Sequence, residues 1–386
     1  MIARIVPLLL AVLLLPQLYI HLRRLRRKPL WVRVLRWLPT LAMTVWTVVL
    51  ATERSFAPED MTPTNTYLLL LGTIFVPKAI YAMCGFVGRC VKLLTHSRNN
   101  WGNLVGLILA FFAFYMALYG SFVGVRRLNV NRMEVAVTGL PKAFNGYRIV
   151  RFSDLHVGSL TGWRRQLISR DIDSINAQQA DAIMFAGDLQ NLRPSELYPV
   201  QEQLRRLKAR DGVFAVLGNH DYSAYIDDDP AICAANERET QNRERQFGWT
   251  LLTNEHHVLT RGGKRLVVAG MENGTGQARV ARADIGKTLE GTLADDCIIM
   301  LEHDPSVWRE SILKQADVAL TLSGHTHGGQ VSFLGLRGTR LTLSEDYGLY
   351  DDGQGHQLYV TCGLGGLVPF RFGVTPEIAV ITLVSK

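Results

Sequence analysis

Four apolar stretches, at about 2–20, 34–51, 67–87 and 102–125, crowd into the first third of the chain, each close to the ~20 residues that an α-helix needs to cross a bilayer. In hydrocarbon every backbone N–H and C=O must be satisfied within its own segment, so stretches of this kind span as helices. The sequence therefore predicts an all-α transmembrane region over residues 1–130 and a domain of a different kind over 145–386. Composition conceals the split. Mean hydropathy is +0.09 with 20% charged residues, which averages one region suited to lipid and one suited to water. The roughly 240 residues of the second region suffice for a substantial core.

A net charge of +8 points first to nucleic acid, until its placement is read. Arg23, Arg24, Arg26, Arg27, Lys28, Arg33 and Arg36 lie between the first two apolar stretches, where they act as a topology signal. The second connection sets Arg54 against Glu53, Glu59 and Asp60, and the third carries Arg89, Lys92 and Arg98. Basic connections stay in the cytoplasm, so both termini and everything after Val125 are expected on the periplasmic or exterior side. Arg126, Arg127 and Arg132 pull the other way with fewer charges. The first stretch is expected to be retained as a span rather than cleaved as a signal peptide. Its one leading charge is Arg4, and no small-residue cleavage site precedes the basic cluster. Lys78, directly after Pro77, reads as the lysine of a kinked helix facing its neighbours, at a depth where an ammonium costs about 2.5–3.5 kcal/mol. Cys84, Cys90, Cys233, Cys297 and Cys362 have neither CxxC spacing nor the density of a disulfide scaffold, which excludes a zinc ribbon.

Beyond the junction, apolar runs of strand length alternate with polar, helix-compatible segments, an α/β rhythm. Strands are predicted over 147–152, 182–186 and 213–217, with helices over 164–178 and 195–208 between them. Each strand delivers polar residues at its carboxyl end, the edge where sites form in open α/β sheets: Asp154 and His156, then Asp188, then Asn219, His220 and Asp221. The polar stretch 222–247, with Asp227, Asp228 and Asp229, reads as an insertion over the site whose acid run is solvated. A hairpin is predicted about Gly262-Gly263. Strands at 297–301 and 318–322 lead to His303 and to His325 and His327, and 358–361 and 378–383 read as strands closing a second sheet.

The chemistry follows from donor type and spacing. Asp154 and His156 stand two apart at a strand end, so both side chains are expected on one side, converging on one metal. Asp188 follows a glycine, which permits a sharp exit from the strand, and its two oxygens are suited to bridging two cations. Asn219 offers an amide oxygen without added charge; His325 and His327 repeat the two-residue spacing between glycines. Any one of these is more simply a core histidine or a helix cap. In this order, each at the end of an apparent strand, they point to one shared site.

The order DxH, GD, GNHD, H, GHTH resembles the calcineurin-like metallophosphoesterase superfamily, and SDLHVG, VLGNHDY, LEHDP, SGHTHGGQ and PFRFGVTPEI resemble its bacterial YkuE-like branch, over about residues 146–383. The resemblance implies a four-layer αββα sandwich with its site at the sheet edge. It assigns Asp154, His156, Asp188 and His327 to a first metal, and Asp188, Asn219, His303 and His325 to a second. Gln190 and Asn191 stand where many relatives carry a second acid, a departure expected to touch substrate fit rather than metal binding. The expected activity is cleavage of a phosphoester or pyrophosphate by a hydroxide activated by two divalent ions, manganese, iron or zinc. His220 is the expected acid for the leaving oxygen, with Asp221 holding its ring. Two dications, two carboxylates and a bridging hydroxide leave one net positive charge to meet an anionic substrate, a phosphorylated small molecule or lipid at the bilayer. A membrane sensor binding a phosphorylated ligand without turnover is the alternative. A nuclease ranks lower, because no basic and aromatic strip offers a track for a strand.

Overall fold

In a computed structural model describing residues 2–276 and 278–386, the chain forms two compact units, Met1–Val123 and Gly124–Lys386. Four helical segments, Ile2–Leu25, Leu30–Ala51, Met61–Leu94 and Gly102–Arg126, are long and apolar enough to cross a membrane. The third runs well past the apolar stretch 67–87 at both ends and begins on an Asp60 cap that accepts from the Thr62 amide (2.8 Å). Lys78 does face its neighbours: its ammonium donates to Gln17 Oε1 and, at 3.0 Å, to Thr40 Oγ1.

In the second unit the stretch read as a junction supplies a strand. The first sheet contains Asn129–Val137 (β1), Arg148–Phe152 (β2), Ala182–Ala186 (β3), Val213–Val216 (β4) and Thr250–Leu251 (β5). The second sheet contains Glu255–Arg261 (β6), Lys264–Gly270 (β7), Cys297–Leu301 (β8) and Leu320–Ser323 (β9). A small hairpin follows, Ser332–Phe333 (β10) and Leu336–Arg337 (β11), then Gly348–Asp351 (β12) and Gln357–Val360 (β13), which extend the second sheet. Glu377–Ser385 (β14) was expected there too. It lies instead in the first sheet, between β1 and β2, parallel to one and antiparallel to the other. The run of β2, β3, β4 and β5 is parallel, as is that of β13, β9, β8 and β7.

Burial on both faces explains why these strands read as continuous apolar runs. Ile149, Met184 and Phe214 point inward against Leu266, Val268, Ile299 and Leu301 of the opposite sheet. Their neighbours Val150, Ile183 and Phe185 point outward, beneath the helix Arg165–Asn176, which buries Ile168, Ile172 and Ile175 at helical spacing. On the far side Val267, Ile298 and Met300 pack beneath Trp308 and Ile312. The layers are thus those of an αββα sandwich. The helix predicted over 195–208 is realised as a 3₁₀ segment, Pro194–Val200, and a short α turn, Gln201–Leu204, because Pro199 lacks the amide that a continuous helix needs. The Gly262-Gly263 hairpin forms, with both glycines at positive φ (56° and 73°). Within 222–247 the helix Pro230–Gln246 is capped by Asp229, and Asp228 pairs with Arg193 at 3.3 Å, so the acid run is more than a solvated loop.

Candidate metal centre

All seven expected ligands meet at one edge of the sandwich, in the loops that leave β2, β3, β4, β8 and β9. Strand alternation is not what brings the first pair together. β2 ends at Phe152, and Asp154 and His156 follow in left-handed backbone conformations (φ 51° and 47°). Asp188, His325 and His327 do the same (61°, 69° and 52°). Five of seven ligand candidates therefore occupy a region costly for a side-chain-bearing residue, which concentrates strain where a site is built. Gly187 makes the bend before Asp188 feasible: its own φ is 87°, and a Cβ there would collide with the Gly218 backbone.

The donors fall into two clusters, Asp154, His156 and His327 in one, Asp188, His303 and His325 in the other, with the ligand atoms of each cluster within 4.8 Å of one another. Asp188 joins them. Its Oδ2 lies 3.2 Å from His303 Nε2 and 3.5 Å from His156 Nε2. Its Oδ1 is taken by the His220 amide (2.9 Å), so a single oxygen, rather than the two expected, faces both clusters. Asn219 turns its amide oxygen to His303 Nε2 (3.1 Å) and His325 Nδ1 (3.0 Å), while its NH₂ donates to Tyr225 (2.9 Å).

Outer partners set which ring nitrogen points inward. His303 Nδ1 can only donate to the Ala186 carbonyl (2.7 Å), which leaves Nε2 for the site. His156 Nδ1 likewise faces Asn191 Oδ1 (3.1 Å), and its Nε2 is buried without a hydrogen-bond partner, as is His327 Nδ1. Burial pushes His156 down to about 3 and His327 well below its ordinary value, so both rings are neutral donors at physiological pH. For His303 burial opposes the cation, yet the adjacent Asp188 carboxylate outweighs it and raises the ring to about 10. Burial would also raise Asp188, but His303 and His220 hold it well below the usual carboxylate range. Buried carboxylates that draw positive charge, beside neutral imidazoles with unpartnered nitrogens, form a donor set that fits divalent cations.

Comparison with known proteins identifies the family. Residues 147–329 match the family described as "Calcineurin-like phosphoesterase", and residues 3–125 match "Probable Calcineurin-like phosphoesterase, transmembrane domain". A Helicobacter pylori protein described as an uncharacterized metallophosphoesterase is 30% identical over 341 residues, which cover 85% of each chain. The chain belongs to the calcineurin-like metallophosphoesterases. A Danio rerio transmembrane protein with a metallophosphoesterase domain is 29% identical over 83% of this chain and 71% of its own. Bacillus subtilis YkuE is 29% identical over 69% and 89%.

Three features of this membrane-associated phosphoesterase depart from the sequence reading. Asp221 does not hold the His220 ring. Its two oxygens accept the amides of Asp188, Leu189, Gln190 and Gly218 (2.8–3.2 Å), which fastens the GD loop to the GNHD loop. His220 Nδ1 donates instead to the Asn191 carbonyl (2.6 Å). Asn191 thus positions two histidines, one by its side chain and one by its backbone, and its own amide is held by Glu196 (2.6 Å). Gln190 is buried and reaches Thr240, Ser223 and the His220 carbonyl, so both residues are engaged by the chain itself. Arg371 was passed over inside PFRFGVTPEI. Fully buried, it donates to the carbonyls of His327 (2.8 Å), Cys362 (2.8 Å) and Gly365, and so ties the last ligand loop to the chain before β14. A lone arginine among apolar residues was its only signal.

Proposed function

We propose that the protein is a membrane-anchored hydrolase that cleaves a phosphoester or pyrophosphate bond with two divalent metal ions, on a lipid or cell-envelope substrate. The observation that carries this reading is Asp188 Oδ2, set between His303 and His156 as a carboxylate oxygen shared by two donor clusters. Asp154, His156, Asp188 and His327 would hold one ion, and Asp188, Asn219, His303 and His325 the other; the mixed nitrogen and oxygen donors suit manganese, iron or zinc. Ions bound there supply Lewis-acid polarisation of the phosphoryl group and lower the pKa of water.

The chain contributes orientation and a proton. His220, fixed through Nδ1 by Asn191 and packed against the tilted ring of Tyr225 with centroids 4.8 Å apart, would pass a proton through Nε2 to the leaving oxygen. The substrate reading rests on the tether, which keeps the site near head groups, and on the basic connections, which favour an extracytoplasmic catalytic unit.

The test uses the full-length chain in detergent with manganese and an aryl phosphodiester. Asp188→Asn is expected to lose both metal and turnover, whereas His220→Ala keeps metal and loses rate. Full activity in Asp188→Asn would sink the shared-ligand reading. A reporter active only outside the cytoplasm, fused after Lys386, checks the orientation; its silence on a stable, inserted fusion would reverse it.

A further inference from the structure

The β10–β11 hairpin follows the GHTHGG loop directly, and its chemistry does not suit water. Leu334, Leu336 and Leu341 are 89%, 73% and 88% exposed, with Val331 and Phe333 also exposed. Between Val331 and Ser344 the chain carries Arg337 and Arg340 and no acid. The tip is Leu334-Gly335, with φ of 50° and 82°, a two-residue turn whose first position ordinarily takes asparagine, aspartate or glycine. A leucine in that strained position, almost wholly exposed, gains nothing from packing or from turn chemistry.

The hairpin base is nonetheless fixed. Arg337 grips Asp346 through two bonds (2.7 and 3.0 Å), and the Asp346 carbonyl accepts from Thr326, between the ligands His325 and His327. Val331 bridges to Phe372, next to Arg371. Gly124, at the foot of the fourth span, packs so closely on Arg371 that a Cβ there would strike the Arg371 carbonyl. The hairpin base and Gly124, the first residue of the catalytic unit at the end of the last span, therefore both pack on the segment 371–372.

We infer that residues 331–341 form a membrane-docking hairpin, which inserts its leucines into the interfacial layer of a bilayer while the exposed Arg340 meets anionic head groups. An apolar tip, an exposed arginine at its flank, no acid between residues 331 and 344 and a neighbouring membrane exit are the features that select a lipid surface over a second protein. Insertion is independent of what the enzyme hydrolyses.

The experiment places the full-length chain in nanodiscs of phosphatidylcholine and phosphatidylglycerol. Cys84→Ser and Cys90→Ser leave the three buried cysteines, and an environment-sensitive fluorophore is attached at L334C or L341C, two positions in case one perturbs the turn. Q354C is the control, in an exposed turn whose neighbour Gly355 lies against Thr138, at the far end of β1 and roughly 26 Å along the strand from Asn129. Labels at 334 and 341 are expected to be quenched by head-group nitroxide lipids severalfold more than the label at 354. Equal quenching at all three overturns the inference. A blue shift at 334 that nitroxide lipids leave unquenched also overturns it, because protein, whether another copy or another partner, would then cover the hairpin.

Discussion

Each unit withdraws a cation from solvent, Arg371 almost wholly and Lys78 in part, that forms no ion pair among the described residues, and the two are used differently. In the catalytic unit Arg371 fills a planar fork with four backbone carbonyls, of His327, Cys362, Gly363 and Gly365, from loops that converge on the candidate metal centre. In the membrane unit Lys78, a point charge on a flexible stem, rests on the side chains of Gln17 and Thr40 from two other spans. One cation fixes the backbone; the other is solvated by side chains. The difference teaches where rigidity is needed. A donor set must be held to fractions of an ångström, whereas a helix bundle in lipid already has its backbone satisfied and asks only that a polar head find company.

If that contrast is right, removing the first cation should cost far more than removing the second. Arg371→Met strands the carbonyls that the guanidinium satisfies, at about 1–3 kcal/mol each, so the catalytic unit should melt at much lower temperature and hydrolysis should disappear. Arg371→Lys should recover only part of the loss, since one ammonium cannot reproduce the fork. A melting curve that Arg371→Met leaves in place would break the comparison. Asn191→Leu comes next. With His156 and His220 both released from their outer partner, metal affinity and turnover should fall about 10–100-fold, read by metal content and initial rates. Loss of rate with metal retained would confine Asn191 to His220. Lys78→Met should have the smallest effect: hydrolysis of a soluble ester stays unchanged, and insertion becomes easier by about 2.5–3.5 kcal/mol. A collapse of activity in that variant would turn Lys78 from a structural group into a functional one.

What the sequence disclosed follows the same division. The spans were legible because hydrocarbon admits one backbone solution, and the strands because both of their faces are buried. The convergence of the ligand candidates was legible because carboxylates and histidines are rarely placed together at strand ends without a common purpose. The positioning groups were not. Asp221 looked like a partner for His220 by adjacency, yet it satisfies four amides from two loops. Asn191 was read only as a departure bearing on substrate fit, and its hold on two histidine rings went unseen. Such roles depend on which loop lies beside which, and local periodicity carries no record of that. β14 shows the same limit on a larger scale: its apolar run announced a strand, and nothing in the run said which sheet it would enter.

The left-handed ligands carry a consequence for selection. At Asp154, His156, Asp188, His325 and His327 the backbone would relax by about 1–2 kcal/mol per residue if glycine replaced each side chain, and the chemistry would vanish with the donors. Inheritance that rewarded durability alone would therefore drift toward glycine at these five places and produce a sturdier, inert protein. At these positions backbone stability and donor chemistry pull in opposite directions.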